Sequence, residues 1–116
     1  MQRIAAWHRE FQIWYYTVSY SQLLLRSLVD DVEGRVDVLF THIRFLHIPY
    51  ELDRLVIDEV AADEVSDLAV PEVSDDERIF LLNEGEGYVI ARLCDWHEDR
   101  GDHHSPSRFG PLRGLE

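Results

Sequence analysis

Alternation with a period of two runs through most of this chain, and β-branched and aromatic residues fill the alternating positions, which commits the backbone to strands over helices. Phe11 to Val18 (FQIWYYTV) is a first strand with Phe11, Ile13 and Tyr15 on one face and Trp14, Tyr16 and Val18 on the other. Both faces carry aromatic bulk, as a central strand would. Ser19-Tyr20-Ser21 is a turn, and Gln22 to Val29 returns to form a hairpin. Asp30 to Gly34 supplies acids that bond their own backbone and a glycine that tolerates positive φ, which marks a second turn. Arg35 to Ile48 is long for one flat strand, and its apolar parity changes from Val36, Val38 and Phe40 to Ile43 and Phe45. A bulge or bend between Thr41 and Ile43 reconciles the two halves, because one extra residue swaps the side chains that face the core. Pro49 ends the run, since it has no amide for a ladder.

Leu55 to Val60, Arg78 to Glu84 and Gly87 to Trp96 complete a set of six, and Gly85-Glu86-Gly87 joins the last two as a hairpin. The expected fold is mainly β: a six-stranded antiparallel meander forming a sandwich or a partly closed curved sheet, with at most one short helix. Ala61 to Ala69 is the place for that helical turn, or else for an ordered loop. Gln2 to Glu10 lacks clean alternation and reads as a helical turn or an extended lead-in. With 116 residues there is room for one core, so residues 1–98 are expected to form a single domain. Residues 99–116 are rich in Gly, Pro, Ser and charge and are expected to be a mobile tail. No apolar run approaches the roughly 20 residues that cross a bilayer, and the opening residues lack the pattern of a secretory signal, so a cytoplasmic location is expected. Cys94 is the single cysteine, which excludes an intramolecular disulfide, and its strand context reads as a small buried hydrophobe.

Charge narrows the partners. The 23 acidic and 11 basic residues give a formal net charge of -12, which repels phosphate polymers and anionic lipid heads, so neither nucleic acid nor membrane is an expected partner. From Leu55 to Glu77 there are nine acids and no base: Asp58, Glu59, Asp63, Glu64, Asp67, Glu72, Asp75, Asp76 and Glu77. That stretch is either a solvated loop that confers solubility or a surface matched to a basic protein partner. The aromatic group Trp7, Phe11, Trp14, Tyr15, Tyr16 and Tyr20 has two readings as well. It is core packing, or it is a recognition surface with Trp14, Tyr16 and Tyr20 as anchors, and an exposed face would leave a homodimer open.

Catalytic and metal signatures are weak. Asp95, His97, Glu98, Asp99, Asp102, His103 and His104 gather donor types that metals use, but adjacent histidines in a segment without a rigid element lack the spacing of a dedicated site, so no metal and no cofactor is expected. His42 and His47 are candidate bases if a cleft places them near a nucleophile. No G-x-S-x-G elbow surrounds Ser19, Ser21, Ser27 or Thr41, and Glu86 in the glycine turn would repel phosphate.

The runs FQIWYYTVSYSQLLLRS, RVDVLFTHIRFLHIP and LVIDEV, within Phe11 to Val60, resemble small bacterial all-β immunity proteins encoded beside toxins, particularly in actinomycetes. The resemblance implies a non-enzymatic acidic inhibitor that covers a toxin's basic surface, and it transfers no individual residue role. The expected function is therefore a cytosolic protein-binding module, with an inter-sheet pocket served by His42, His47 and His97 as the alternative.

Overall fold

The computed structural model of the protein describes residues 1–27, 34–68 and 70–99. Ten strands are present among them: β1 (Gln2–Trp7), β2 (Phe11–Thr17), β3 (Gln22–Ser27), β4 (Arg35–Thr41), β5 (Phe45–His47), β6 (Glu51–Leu52), β7 (Leu55–Val60), β8 (Arg78–Leu82), β9 (Gly87–Ala91) and β10 (Leu93–Asp99). Every pairing is antiparallel, in two five-stranded sheets of order β1-β7-β8-β9-β5 and β10-β4-β3-β2-β6, called here the first and second sheet. The molecule is a mainly β sandwich, as the alternation implies. Three short 3₁₀ turns, at Ser19–Ser21, Ala62–Val65 and Asn83–Gly85, take the place of any longer helix among the described residues.

Ten strands arise from six extended segments because four of those segments switch sheets. The segment holding β4 and β5 starts in the second sheet and ends in the first, and its partner, β9 followed by β10, crosses in the opposite sense. The bend falls at His42, whose φ of 57 lies in the left-handed region, within the span where the parity of Arg35 to Ile48 changes. Two cross-strand bonds hold the corner: the Arg44 amide donates to the Ile90 carbonyl at 2.9 Å and the Arg92 amide to the Thr41 carbonyl at 3.2 Å. Gln2 to Thr17 does the same, with β1 in the first sheet and β2 in the second, and β6 and β7 follow it across. Strands that bend from one sheet into the other make the corners of such sandwiches.

Gln2–Trp7 is thus a strand, and the extended alternative for the opening residues is the one the chain adopts. Its alternation is broken by a register shift between Arg3 and Ala5. A second shift, between Ile13 and Tyr15, alters the faces expected for β2: Tyr16, instead of Tyr15, joins the side of Ile13, and Trp14 turns to the outer side of the sheet. One extra residue in a strand reverses all that follows it. The expected turn at Asp30 to Gly34 lies outside the described residues except for Gly34, which has a φ of 76. Residues 28 and 29 of the second expected strand and the tail from residue 100 onward also lie outside them.

Between the sheets, Phe11, Leu23, Leu25, Val38 and Phe40 face Leu55, Ile57, Phe80, Leu82 and Val89 in one fully buried cluster. The Phe40 and Phe80 rings meet across it at 5.6 Å. Cys94 packs against the same cluster, and burial pushes its thiol up to about 12, so no thiolate forms near neutrality.

Both outer faces are covered in part. Val60, Ile79, Leu81, Tyr88 and Ile90 on the outside of the first sheet pack with Val65, Leu68, Val70 and Val73 from the strap of residues 61–77. On the outside of the second sheet, Leu24 and Leu39 meet Trp14, and Arg26, Arg35 and Asp37 are buried beside them.

Candidate functional site

The strap lies on the sheet through Val65, Leu68, Val70 and Val73, while Asp63, Asp67, Glu72 and Asp75 between and beside them are exposed. Its two ends are fastened differently. Near its start, Glu64 accepts the Ala61 amide at 2.9 Å and pairs with the N-terminal ammonium of Met1, which holds its carboxyl below the usual range. Near its end, Glu77 accepts the Ser74 amide at 2.9 Å and the Arg44 Nε at 2.7 Å. The Arg44 guanidinium, helped by that amide, brings the Glu77 carboxyl down to about 2. Arg44 also donates to the Glu72 carbonyl, and Arg92 pairs with Asp76 at 3.0 Å. Arg44 and Arg92 both belong to the corner where β4 becomes β5 and β9 becomes β10, so the bend that joins the sheets also clamps the strap.

These contacts divide the nine acids read as a partner surface. Asp58 is removed from it: only 1% exposed, it is bonded by Arg3 at 3.1 Å and 3.4 Å. Asp58 was expected at the surface because nothing local announces that β1, 55 residues away in the chain, brings Arg3 to it. Glu59 lies 3.9 Å from Arg78, and Glu64, Asp76 and Glu77 are paired as described. Asp63, Asp67, Glu72 and Asp75 are exposed, with no ion pair among the described contacts of their carboxylates. The effective acidic surface is these four.

A carboxylate with a lowered folded-state value contributes stability that is present above its unfolded value and lost as pH falls through the folded one. For Glu77 the window runs from 4.5 down to about 2. We expect the urea midpoint to fall across that window, and the fall to be smaller in Arg44→Gln, where Glu77 titrates nearer its ordinary value. NMR titration of the Glu77 carboxyl in both proteins checks the assignment, and equal titration in the two removes Arg44 as the cause.

The aromatic anchors are also divided. Trp14 is half-buried against Leu24 and Leu39, with the Arg26 guanidinium 5.1 Å from its ring, so it packs the outer side of the second sheet. Tyr16 and Tyr20 are 51% and 53% exposed, and Tyr20 meets the His42 ring at 5.9 Å. Tyr15 is exposed too.

Tyr16 borders a feature that residue types alone do not disclose. Ile13, Tyr16, Leu23 and Leu46 line an open apolar cleft of about 310 Å³. Leu46 comes from β5, the edge strand of the first sheet, and Ile13 and Tyr16 come from β2. Beyond Gln12 the ladder between β2 and β6 stops, leaving the Ile13 amide bonded to the Tyr50 carbonyl at 3.0 Å. Elsewhere the β1 and β10 edges are drawn together, with Trp7 donating to Glu98 at 2.9 Å and meeting the Trp96 ring edge-on at 5.7 Å. At the cleft the edges of the two sheets stay apart. The only sequence sign was the parity change at Thr41 to Ile43, which removes β5 from the sheet that β4 occupies.

None of the three candidate histidines lines the cleft. His42 is exposed at the corner, His47 lies on the outer side of β5 with its ring 5.9 Å from that of Tyr88, and His97 is half-buried on β10 in register with Asp37. Among the described residues no group of three His, Cys, Asp or Glu side chains is arranged to hold a metal ion, and His103 and His104 lie outside them. Among the described residues no helix is long and apolar enough to cross a membrane. No protein-family model matches the chain, and searches of curated proteins and of solved structures gave no match.

Proposed function

We propose that this chain is a protein-binding module for a basic protein partner, of the kind an immunity-type inhibitor represents, with Asp63, Asp67, Glu72 and Asp75 as its docking charges. One observation carries the reading. The strap that bears these four carboxylates is pinned by Arg44, Arg92 and the N-terminus, so they are presented on an anchored segment. Six of the eight described arginines, Arg3, Arg26, Arg35, Arg44, Arg78 and Arg92, lie within 4.0 Å of an acid of the same chain, which limits how far they offset the four carboxylates. Clustered charge of one sign speeds encounter with the opposite sign and makes the rate depend on salt. Tyr16 and Tyr20 supply the aromatic area that interfaces favour. The pocket-enzyme alternative has less support, since the cleft offers hydrocarbon and the Tyr16 side chain, with no imidazole on it.

The product of the adjacent gene is the partner to test, because immunity-type inhibitors are encoded beside their toxins. Association followed by surface plasmon resonance should slow with rising salt, and the four-site variant Asp63→Asn, Asp67→Asn, Glu72→Asn, Asp75→Asn should slow it by about ten-fold at low salt. Tight binding at an unchanged rate would reject the strap as the docking surface; absence of binding would reject the immunity-type reading.

A further inference from the structure

We infer that β5 accepts an added strand from the partner: an extended segment in which apolar and basic residues alternate, with its apolar side chains entering the cleft beside Leu46. The inference rests on the protein-binding reading above and specifies the partner's chemistry. Three features converge on one edge.

First, β5 is the terminal strand of the first sheet, so among the described residues one side of its backbone has no ladder partner. An edge strand presents amide and carbonyl groups as a template for another chain, and peptide recognition by strand addition uses that template. Second, the two sides of β5 differ in chemistry. Leu46 faces inward and lines the cleft, while Phe45 and His47 face outward, where Phe45 stacks on Tyr88 with centroids 5.7 Å apart and planes 3° from parallel. A strand laid along β5 repeats that division with a period of two: alternate residues point into the cleft and the others lie beside Phe45 and His47. The cleft, at about 310 Å³, compares with roughly 30 Å³ for one liquid water, which is room for apolar side chains.

Third, the outward positions meet negative charge. Arg44 directly precedes Phe45 and fastens the end of the strap through Glu77 and the Glu72 carbonyl, which brings the exposed Glu72 and Asp75 segment to the β5 end of the outer face. Arg44 is itself occupied by those contacts. Basic side chains on the outward positions of an incoming strand therefore find carboxylates, and the exposed face of Phe45 offers a guanidinium an aromatic ring. The apolar side selects the inward residues and the strap selects the outward ones.

Two capped peptides of equal composition test this on the full chain, one alternating valine and arginine, the other with the valines and arginines in separate blocks. The alternating peptide should bind about ten-fold tighter by fluorescence anisotropy, and the ¹⁵N-labelled protein should show amide shifts at residues 13–16 and 45–47. Glu72→Lys with Asp75→Lys should weaken the alternating peptide by about ten-fold at low salt. Equal affinity for both peptides, with shifts confined to residues 63–75, overturns strand addition and leaves the strap as a docking surface. If neither peptide binds, strand addition at β5 is overturned, while the strap as a docking surface stands or falls on the salt dependence measured with the adjacent-gene product.

Discussion

Asp37→Ala should cost about 3–5 kcal/mol of unfolding free energy, read from the urea midpoint, because it takes one partner out of a buried ion pair. Asp37 is 1% exposed, and both its oxygens are used: Arg26 Nε donates to Oδ1 at 2.8 Å and Arg26 Nη2 to Oδ2 at 3.1 Å. Arg35 Nε lies 4.0 Å from Oδ2. The two guanidiniums, 1% and 2% exposed, share this carboxylate, and the substitution withdraws a buried anion that both of them face. Trp14, over which Arg26 lies, cannot replace it, since a ring face attracts a cation far less than a carboxylate does. The triple variant Arg26→Met, Arg35→Met, Asp37→Leu should recover most of the loss, as apolar replacement of a buried ion cluster is often neutral or better. A loss below about 1 kcal/mol for Asp37→Ala would place the pair in the range of solvent-exposed ion pairs and refute its burial.

That cluster also marks where residue types mislead. RVDVLF reads as a strand from its alternation, and β4 is one, but the same alternation assigns Arg35 and Asp37 to solvent when they are buried on the outside of the second sheet. Pairings that span large sequence distances cannot be read from local pattern: Arg44 with Glu77, 33 residues apart, decides which acids stay free for a partner. The corner was legible because it leaves a local trace. Side chains change face at His42, and the parity of the apolar residues changes with them. β1 left no such trace, for Ala5 and Ala6 stand between Ile4 and Trp7 and a register shift interrupts the strand. The strap's apolar residues, Val65, Leu68, Val70 and Val73, follow neither the period of a strand nor that of a helix, so its acids were visible and its docking on the sheet was not. The cleft escaped for the same reason, as it depends on where two sheet edges diverge.

Gly87→Ala should cost about 1–3 kcal/mol, the range for an added methyl forced into a packed site. A Cβ at Gly87 would lie 2.6 Å from the His47 carbonyl oxygen and 3.2 Å from the Ile48 Cα, both of them backbone atoms that no rotamer change can withdraw. The strain therefore falls on β5, the strand proposed to receive the partner. Gly85→Ala is the comparison, because a Cβ there meets nothing within 4 Å, and its cost comes from a φ of +122 that side chains disfavour. Each variant should lose stability, but the amide shifts at residues 45–47 should be large for Gly87→Ala alone. If strand addition at β5 is correct, Gly87→Ala also weakens the alternating peptide while Gly85→Ala leaves its affinity within about two-fold, since a preformed edge reduces the ordering cost of binding. Equal effects of the two variants on the peptide would mean that its affinity follows global stability and that the position of β5 does not govern it.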